Sequence, residues 1–293
     1  MPPLSATAHI RRLRGGSQSH LLLASDGHLY VTKFQNNPQH LRVLVNEMFA
    51  TRLGQRLRLP MPRVAVIEVP DWLIERTPEL CHEVAGHKSP CSTGRQLGSR
   101  YLEKKGAPVF DWLPEAALAD VKNLRDFARV LVLDKWTCNS DGRQTVFTRS
   151  RRRYAASFID QGYAFNAGEW TFPDSPLRGT SAWNSVYQQV LGWDSFEPTL
   201  TLAEEMPDDT LWGCVRDIPE EWYEHDRDAL TRLVEALHRR RKLIRSLIDA
   251  FRNSSRNPFP NWQDRSRSVM ARPACRSTDD FNFNPNTQGE LNV

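Results

Sequence analysis

Residues 131–165 constrain the fold of this chain more than any other stretch. An apolar run ending near Trp136 leads into a polar turn at 139–144, and two apolar stretches joined by a basic turn follow, the second ending at Asp160. A longer periodic apolar run is typical of a helix, and short apolar stretches on either side of a turn are typical of a hairpin. The segment therefore predicts a helix, a polar loop, a hairpin and a carboxylate at the end of the second strand.

Two carboxylates in this segment are candidates for chemistry. Asp141 lies in the polar loop, and Asp160 follows the second predicted strand. Phosphoryl transfer needs one carboxylate that orients the attacking hydroxyl and another that holds magnesium near the phosphates. Asp-Gly is also an ordinary turn signal, and a polar residue often ends a strand. On these residues alone, both interpretations stay open.

A glycine-containing turn lies near the start of the chain. Gly15, Gly16, Ser17 and Gln18 separate two apolar stretches, which predicts a hairpin. Because glycine has no Cβ, such a turn can bring backbone N–H groups close to phosphate. A plain hairpin turn is the alternative.

A lysine and a glutamate follow on neighbouring predicted elements. Lys33 lies in a predicted strand, and Glu47 lies in a predicted helix over residues 39–58. A strand lysine paired with a helix glutamate can be fixed against nucleotide phosphates. Each residue taken singly is more typical of a solvated surface charge.

Three further segments complete the predicted architecture. Residues 95–101 are interpreted as a connector along the cleft. Periodic apolar residues predict helices over 116–137 and 226–252.

Composition limits the class of protein. The chain has 293 residues, 40% hydrophobic and 25% charged, as expected for a soluble globular protein. No apolar run approaches the ~20 residues of a membrane span, and the N-terminus lacks the apolar segment of a signal peptide, so we expect a cytoplasmic protein without membrane contact. The net charge of +4 arises partly from basic runs at 149–153 and 239–242, and it does not by itself indicate nucleic acid.

The cysteines do not indicate a disulfide framework. The 5 cysteines are scattered and odd in number, which favours reduced thiols. Cys81, His82, His87 and Cys91 lie close together in sequence but lack the CxxC spacing of typical zinc sites. We therefore expect them to be exposed loop residues rather than metal ligands.

Taken in order, these motifs resemble the HipA-like kinases and, more distantly, the aminoglycoside-phosphotransferase branch of the protein-kinase-like fold. The resemblance spans about residues 10–250 and is carried by residues 15–18, 31–34, 43–47, 96–101, 139–144 and 159–162. It implies an α+β, two-lobed protein-kinase-like fold. The implied parts are a β-rich, nucleotide-binding lobe at 1–100, a mainly helical lobe at 101–252 and a disordered tail at 253–293.

The resemblance also implies a role for each motif residue. The turn from Gly15 to Gln18 would cover the phosphates of ATP. Lys33 would contact the α- and β-phosphates and pair with Glu47. Asp141 would align the acceptor hydroxyl, and Asp160 would bind Mg²⁺ that bridges the phosphates.

One position departs from the family pattern. Kinases of this kind have a metal-binding asparagine five residues after the catalytic aspartate, where this chain has Val146. A valine cannot ligate a hard cation. Gln144 offers an amide oxygen as a substitute metal ligand, and Arg143 offers a charge that would stabilise phosphate. The alternatives are a one-metal kinase, a kinase that uses Gln144, and a protein that has lost transferase activity.

Three functional hypotheses follow. The first is an ATP-dependent kinase whose partner is a hydroxyl-bearing acceptor, expected to be a Ser/Thr side chain of a protein, with a small molecule as the alternative. The second is a catalytically impaired, nucleotide-binding pseudokinase that acts as an interaction module. The third, which we consider less favoured, is a nucleic-acid-binding protein that uses the two basic runs. Nothing in the sequence indicates an antitoxin-like partner.

Overall fold

The structure, a computed structural model, describes residues 4–102 and 108–263. The strands are β1 (Leu4–Arg12), β2 (His20–Ala24), β3 (Leu29–Lys33), β4 (Val64–Val69), β5 (Cys81–Val84), β6 (His87–Pro90), β7 (Gly94–Arg100), β8 (Val109–Phe110), β9 (Gln144–Ser150) and β10 (Arg153–Ile159). The helices are α1 (Val43–Arg56), α2 (Asp71–Glu75), α3 (Asp126–Trp136), α4 (Thr199–Glu204), α5 (Asp208–Gly213), α6 (Arg227–Arg240) and α7 (Ile244–Arg252).

The N-terminal part is a closed barrel with strand order β1-β2-β3-β7-β4. Neighbouring strands are antiparallel except β1 and β4, which pair in parallel with Leu4 opposite Ile67. Leu22, Phe34 and Ile67 are fully buried in its core. At Gly98 a Cβ would collide with the Ile67 side chain, so close packing of the barrel requires a glycine at this position of β7.

α1 links the barrel to the remainder of the chain. Most of its residues are buried, and Phe49 and Leu53 share one core with Leu97 of β7 and Leu133 of α3. A helix buried on most of its circumference holds its polar residues in fixed positions, because each must find a partner inside the protein.

The C-terminal part is mainly helical and carries a three-stranded sheet with order β10-β9-β8. β9 and β10 form the predicted hairpin, with Gln144 opposite Ile159. α3 packs against α4 and α7. The indole N–H of Trp136, a fully buried residue of α3, donates to the Leu237 carbonyl of α6 at 2.8 Å.

The structure corrects the interpretation of residues 95–101. Residues 95–100 lie in β7, between β3 and β4 in the barrel, and are a strand and not a connector. The segment does line the cleft, through Leu97, Ser99, Arg100 and Tyr101. The prediction failed because Gly98 and the polar side chains of this strand obscure the alternation expected of a strand.

The helices predicted over 116–137 and 226–252 are both interrupted. Residues Glu115–Asp120 form a 3₁₀ turn, and α3 begins only at Asp126 because the Lys122 N–H donates to the Tyr154 carbonyl at 2.9 Å. The second helix is divided into α6 and α7 by a 3₁₀ turn at Arg241–Leu243.

The predicted disordered tail begins too early. Phe259 is 3% exposed and packs against Tyr187 and Phe251, and the Arg256 guanidinium donates to Thr180 Oγ1 at 2.9 Å. The rest of the predicted tail, residues 264–293, lies outside the described residues. The residues up to Trp262 form one compact unit, and a division at residue 100 stays a prediction.

None of the helices in the described part combines the length and the apolar character needed to cross a bilayer.

Candidate active site

Lys33 lies at the centre of a buried charge cluster. It ends β3, and its Nζ lies 2.9 Å from Glu47 Oε2 and 2.8 Å from Asp160 Oδ1. Burial alone would lower the pKa of Lys33, but the carboxylates of Asp160 and Glu47 outweigh it and raise the pKa above its usual value. The lysine is therefore a fixed cation held between two acids from distant parts of the chain.

Two adjacent polar residues of α1 hold the loop that follows Asp160. Glu47 Oε2 accepts a hydrogen bond from the Gln161 N–H at 2.8 Å. Asn46 Nδ2 donates to the Gly162 carbonyl at 2.9 Å and to the Ala167 carbonyl at 2.7 Å. Sequence reasoning did not single out Asn46, although a polar pair within an apolar helix is a signal that a site lies nearby.

Asp160 adopts a backbone conformation that is uncommon for its residue type. Its φ is +57°, in the left-handed region just after β10. Burial would raise the pKa of Asp160, but the Lys33 ammonium lowers it below the usual value. Both hydrogen bonds to this carboxylate, from Lys33 and from the Gly162 N–H, end on Oδ1. Oδ2 therefore has no hydrogen-bond partner among the described residues.

Asp141 lies in an ordered polar loop after α3. Its N–H donates to Asn139 Oδ1 at 3.1 Å, and its Oδ1 accepts from the Gly142 N–H at 2.7 Å. Gln144 Nε2 donates to Asp141 Oδ2 at 3.3 Å, so the two predicted site residues are in contact. The carboxylate itself remains exposed to solvent.

Backbone bonds tie the Asp141 loop to the loop after Asp160. The Ser140 N–H and Oγ both donate to the Tyr163 carbonyl, at 3.0 and 3.1 Å. The Phe165 N–H donates to the Thr137 carbonyl at 2.7 Å. The two acidic loops are therefore held in a fixed relative position.

A buried ion pair beneath the Asp141 loop was not predicted. Arg143 donates from Nε and Nη2 to the two carboxylate oxygens of Asp134, and from Nη1 to the Ile159 carbonyl at 3.0 Å. Both side chains of the pair are 1% exposed. This corrects the suggestion that Arg143 stabilises phosphate, because its guanidinium is already engaged inside the protein. Asp134 is an acid in an apolar helix, but no spacing rule identifies its partner.

A cavity of about 1110 Å³ contains most of the predicted site. Its lining includes Gly15, Gly16, Ser17, Lys33, Glu47, Asp141, Gln144 and Asp160. Arg11, Arg12 and Arg14 also line it, and sequence reasoning did not assign them to the site. The cavity therefore combines a glycine turn, a fixed lysine and a group of cationic side chains with the carboxylates of Glu47, Asp141 and Asp160.

Gln18 differs from the other predicted turn residues. Its side chain bonds to the backbone of Glu83, through Nε2 to the carbonyl and Oε1 to the N–H, each at 2.7 Å. Gln18 is not among the described residues that line the cavity, so the structure gives it a contact with the β5–β6 hairpin instead.

Val146 is 8% exposed and lies on β9, in the cavity wall. Its side chain carries no oxygen, whereas Gln144 lies two residues earlier in the same wall.

Comparison with known protein families identifies the family of the chain. The profile of the HipA-like kinase family matches residues 8–254. This chain belongs to the HipA-like kinase family. The resemblance inferred from the motifs is therefore confirmed. Among curated proteins, none has a significant match to the sequence.

Solved structures similar to this HipA-like kinase share little sequence with it. The structure of hydra Fam20 with sugar has a TM-score of 0.51 at 12% identity and covers 87% of each chain. The Helicobacter pylori proinflammatory kinase CtkA has a TM-score of 0.48 at 11% identity, covering 82% of this chain and 99% of that chain. HipA from Shewanella oneidensis MR-1, in complex with HipB and operator DNA, has a TM-score of 0.42 at 11% identity. The match covers 83% of this chain and 68% of that chain. The similarity to the hydra protein concerns the fold alone. The mixed α/β content of this chain, with a β-rich N-terminal part, agrees with the predicted fold class.

Proposed function

We propose that this HipA-like kinase transfers the γ-phosphate of ATP to a Ser/Thr hydroxyl of a protein, with Mg²⁺ as cofactor. The observation that carries the proposal is the position of Lys33 Nζ between Glu47 and Asp160, in the cavity that also contains Asp141. A fixed cation and two carboxylates around one cavity provide the positioning and charge neutralisation that phosphoryl transfer requires. In this proposal the barrel is the small lobe and the helical part the large lobe.

The polyphosphate would lie against the glycine turn and Lys33. Gly15 has a φ of +132°, a conformation that favours glycine, and no atom lies within 4 Å of a Cβ built there. Open space above the turn leaves its backbone accessible to phosphate oxygens. Arg11 and Arg14 add positive charge to the same wall.

Mg²⁺ would be held by Asp160, and Gln144 would provide a second oxygen. The donor set fits, because the partner-free Oδ2 of Asp160 and the amide oxygen of Gln144 are hard ligands of the kind that Mg²⁺ prefers. Magnesium there would neutralise charge on the phosphates. Lys33 keeps Asp160 ionised and available for this role.

Asp141 would accept a hydrogen bond from the acceptor hydroxyl and align it with the phosphate. Its exposure on the cavity wall leaves it accessible, and Gln144 and the Gly142 N–H fix its carboxylate. This role depends on position more than on basicity.

Two exposed tryptophans support a protein acceptor. Trp112 and Trp183 are 55% and 44% exposed, and their rings contact edge to face at 6.5 Å. Trp183 also lines the cavity. A pair of exposed aromatic rings beside an active-site cavity is suited to binding a peptide.

We also propose a cytoplasmic location. The described cysteines, Cys81, Cys91, Cys138 and Cys214, are all free thiols, which is typical of proteins in a reducing compartment.

The apolar Val146 favours a second candidate, a pseudokinase that binds ATP without turnover. ATP hydrolysis and autophosphorylation, measured with and without Mg²⁺, separate the two. Kinase activity predicts Mg²⁺-dependent turnover that is lost in Asp160→Asn and Asp141→Asn. Binding of ATP without turnover in the unmodified protein would contradict the kinase proposal and support the pseudokinase. Absence of ATP binding would contradict both.

A further inference from the structure

Three buried side chains form a cluster in the barrel region that the proposed activity does not use. His20 of β2, His82 of β5 and Cys91, which follows β6, are 0%, 1% and 3% exposed. One potential ligand atom from each lies within 4.8 Å of the others. The sequence-based expectation of exposed loop residues is therefore wrong for His82 and Cys91, whereas His87 is indeed exposed. His20 comes from a strand more than sixty residues away, which is why sequence spacing did not reveal the cluster.

The distance between two of these atoms equals the distance expected between two ligand atoms bound to one tetrahedral zinc ion. Cys91 Sγ lies 3.6 Å from His82 Nε2. Zn–S and Zn–N bonds of about 2.3 and 2.0–2.1 Å, at a tetrahedral angle, place sulfur and nitrogen about 3.5–3.6 Å apart. The two side chains thus already have the spacing that one shared metal ion would give them.

One ring nitrogen that could bind the ion has no partner. His20 Nε2 is buried and makes no well-aligned hydrogen bond among the described residues. Buried polar atoms nearly always have a partner, so a bare nitrogen at a histidine–cysteine cluster calls for a ligand. His82 would bind through Nε2, which faces Cys91 Sγ. The other nitrogen of His20, Nδ1, lies 3.1 Å from His9 Nε2, an outer contact of the kind that orients a metal-binding imidazole.

Binding of a metal ion by this cluster would release a proton. A thiol binds a metal as its thiolate, so an ion bound by Cys91 would displace the thiol proton to solvent, and each imidazole would bind through the lone pair of one ring nitrogen.

We propose that His20, His82 and Cys91 form a Zn²⁺ site of three protein ligands, in which a water molecule would complete the tetrahedron. Two imidazoles and one thiolate are the nitrogen and sulfur ligands that Zn²⁺ prefers, and they contain no oxygen ligand for Mg²⁺. The site joins β2, which begins directly after the glycine turn, to the β5–β6 hairpin. The contacts of Gln18 with Glu83 link the same two elements, so the metal reinforces an existing attachment of the turn.

The first test is metal content of the full-length protein, purified without a metal-affinity tag and measured by mass spectrometry. We expect about one zinc per chain. Addition of Zn²⁺ to protein stripped with a chelator should raise the melting temperature, and Mg²⁺ should not. A stripped protein whose melting temperature is unchanged by Zn²⁺ overturns the proposal, whatever the behaviour of any variant.

Variants identify the ligands. Cys91→Ser and His82→Asn should lose the zinc. Two matched controls should keep it: His87→Asn, an exposed histidine on the strand paired with β5, and Cys214→Ser, a buried thiol elsewhere in the fold. Replacement of zinc by Co²⁺ gives a second readout, since thiolate-to-cobalt charge-transfer absorption should appear in the unmodified protein and vanish in Cys91→Ser. Zinc retained by Cys91→Ser, or lost from both controls, overturns the ligand assignment.

The zinc proposal is independent of the phosphotransferase proposal. A protein that binds zinc but not ATP would contradict only the proposed function, and a zinc-free protein that turns over ATP would contradict only the metal site.

Discussion

Lys33 is the residue on which the charge balance of the active-site cavity depends. Its ammonium group compensates two acids, Glu47, whose side chain is 3% exposed, and Asp160, whose side chain is 31% exposed. A largely buried carboxylate that loses its neighbouring cation is strongly destabilising, because its charge is no longer compensated. Lys33 is thus a structural residue as well as a candidate ligand of ATP.

Lys33→Met should lower the free energy of unfolding at pH 7 by about 3–5 kcal/mol, the range for removing one partner of a buried pair. This difference in the free energy of unfolding between the variant and the unmodified protein should become smaller as the pH is lowered. With Lys33 present, the lowered pKa of Asp160 means that this group stabilises the fold above its unfolded pKa, and the contribution is lost as pH falls through the folded pKa. Without Lys33, burial is opposed only by the Gly162 N–H and by Arg143, so we expect a higher pKa for Asp160 than in the unmodified protein and a smaller stability deficit at pH 4 than at pH 7. Urea unfolding at several pH values measures both effects, and a deficit that does not depend on pH would contradict this assignment.

Gly162 lies where any side chain would disturb the same cluster. A Cβ there would lie 2.7 Å from Val43 Cγ1 and 3.3 Å from Lys33 Nζ. We expect Gly162→Ala to cost about 1–3 kcal/mol, as for other overpacked sites, and to weaken ATP binding.

Gly213→Ala is the matched control, because no atom lies within 4 Å of a Cβ at that position. Its unfolding and ATP affinity should match those of the unmodified protein. Equal effects of the two substitutions would show that Gly162 is not specifically required.

At the scale of single residues, the sequence was informative where a residue type and its local context suffice. Lys33, Glu47, Asp141 and Asp160 could be proposed as a set because each has a recognisable neighbourhood, and the structure places them around one cavity, although their roles stay predictions. The pairing of Asp134 with Arg143 could not be predicted, since it depends on how a helix end and a loop fold back on each other.

At the scale of secondary-structure elements, this Asp134–Arg143 pair joins α3 to the hairpin that ends at Asp160. Arg143→Ala should destabilise the protein by about 3–5 kcal/mol, because it leaves Asp134 ionised and buried. Arg143→Lys should not restore stability, since an ammonium cannot make the two parallel bonds and the bond to Ile159.

The double variant Asp134→Leu/Arg143→Leu provides the comparison. Removing both charges should recover much of the stability lost in Arg143→Ala, while turnover stays low because the Asp141 loop has lost its support. Chemical denaturation and ATP turnover measure the two effects separately. Wild-type turnover in the double variant would contradict a positioning role for the pair.

The elements that the sequence predicted are those stabilised by their own patterns. The β1–β2 hairpin, α1 and the β9–β10 hairpin have clear turns or apolar periodicity. β7 and the start of α3 were missed because contacts distant in sequence decide them: Gly98 must fit against Ile67, and Lys122 pairs with Tyr154. Local propensity is a weak guide wherever such tertiary contacts compete with it.

At the scale of the whole molecule, ATP binding should stabilise the compact unit that ends at Trp262. ATP with Mg²⁺ at 100 times its dissociation constant should add about 2.7 kcal/mol, a rise in melting temperature of roughly 5–10 °C for a domain of this size. Thermal-shift measurements should show that Asp160→Asn loses the Mg²⁺-dependent part of this rise. The exposed variant Asp209→Asn on α5 should keep it, and an equal loss in both variants would contradict the assignment of Asp160 as the metal ligand.

The position of β7, the last barrel strand in the sequence, between β3 and β4 has a consequence for how the barrel is assembled during synthesis. β3 and β4 are joined only through β7, so the ring cannot close until residue 100 has left the ribosome. Until then the nascent chain presents open strand edges to its surroundings, and such edges readily pair with other chains. We therefore expect a fragment that ends before β7 to keep these open edges and to aggregate more readily than the full chain.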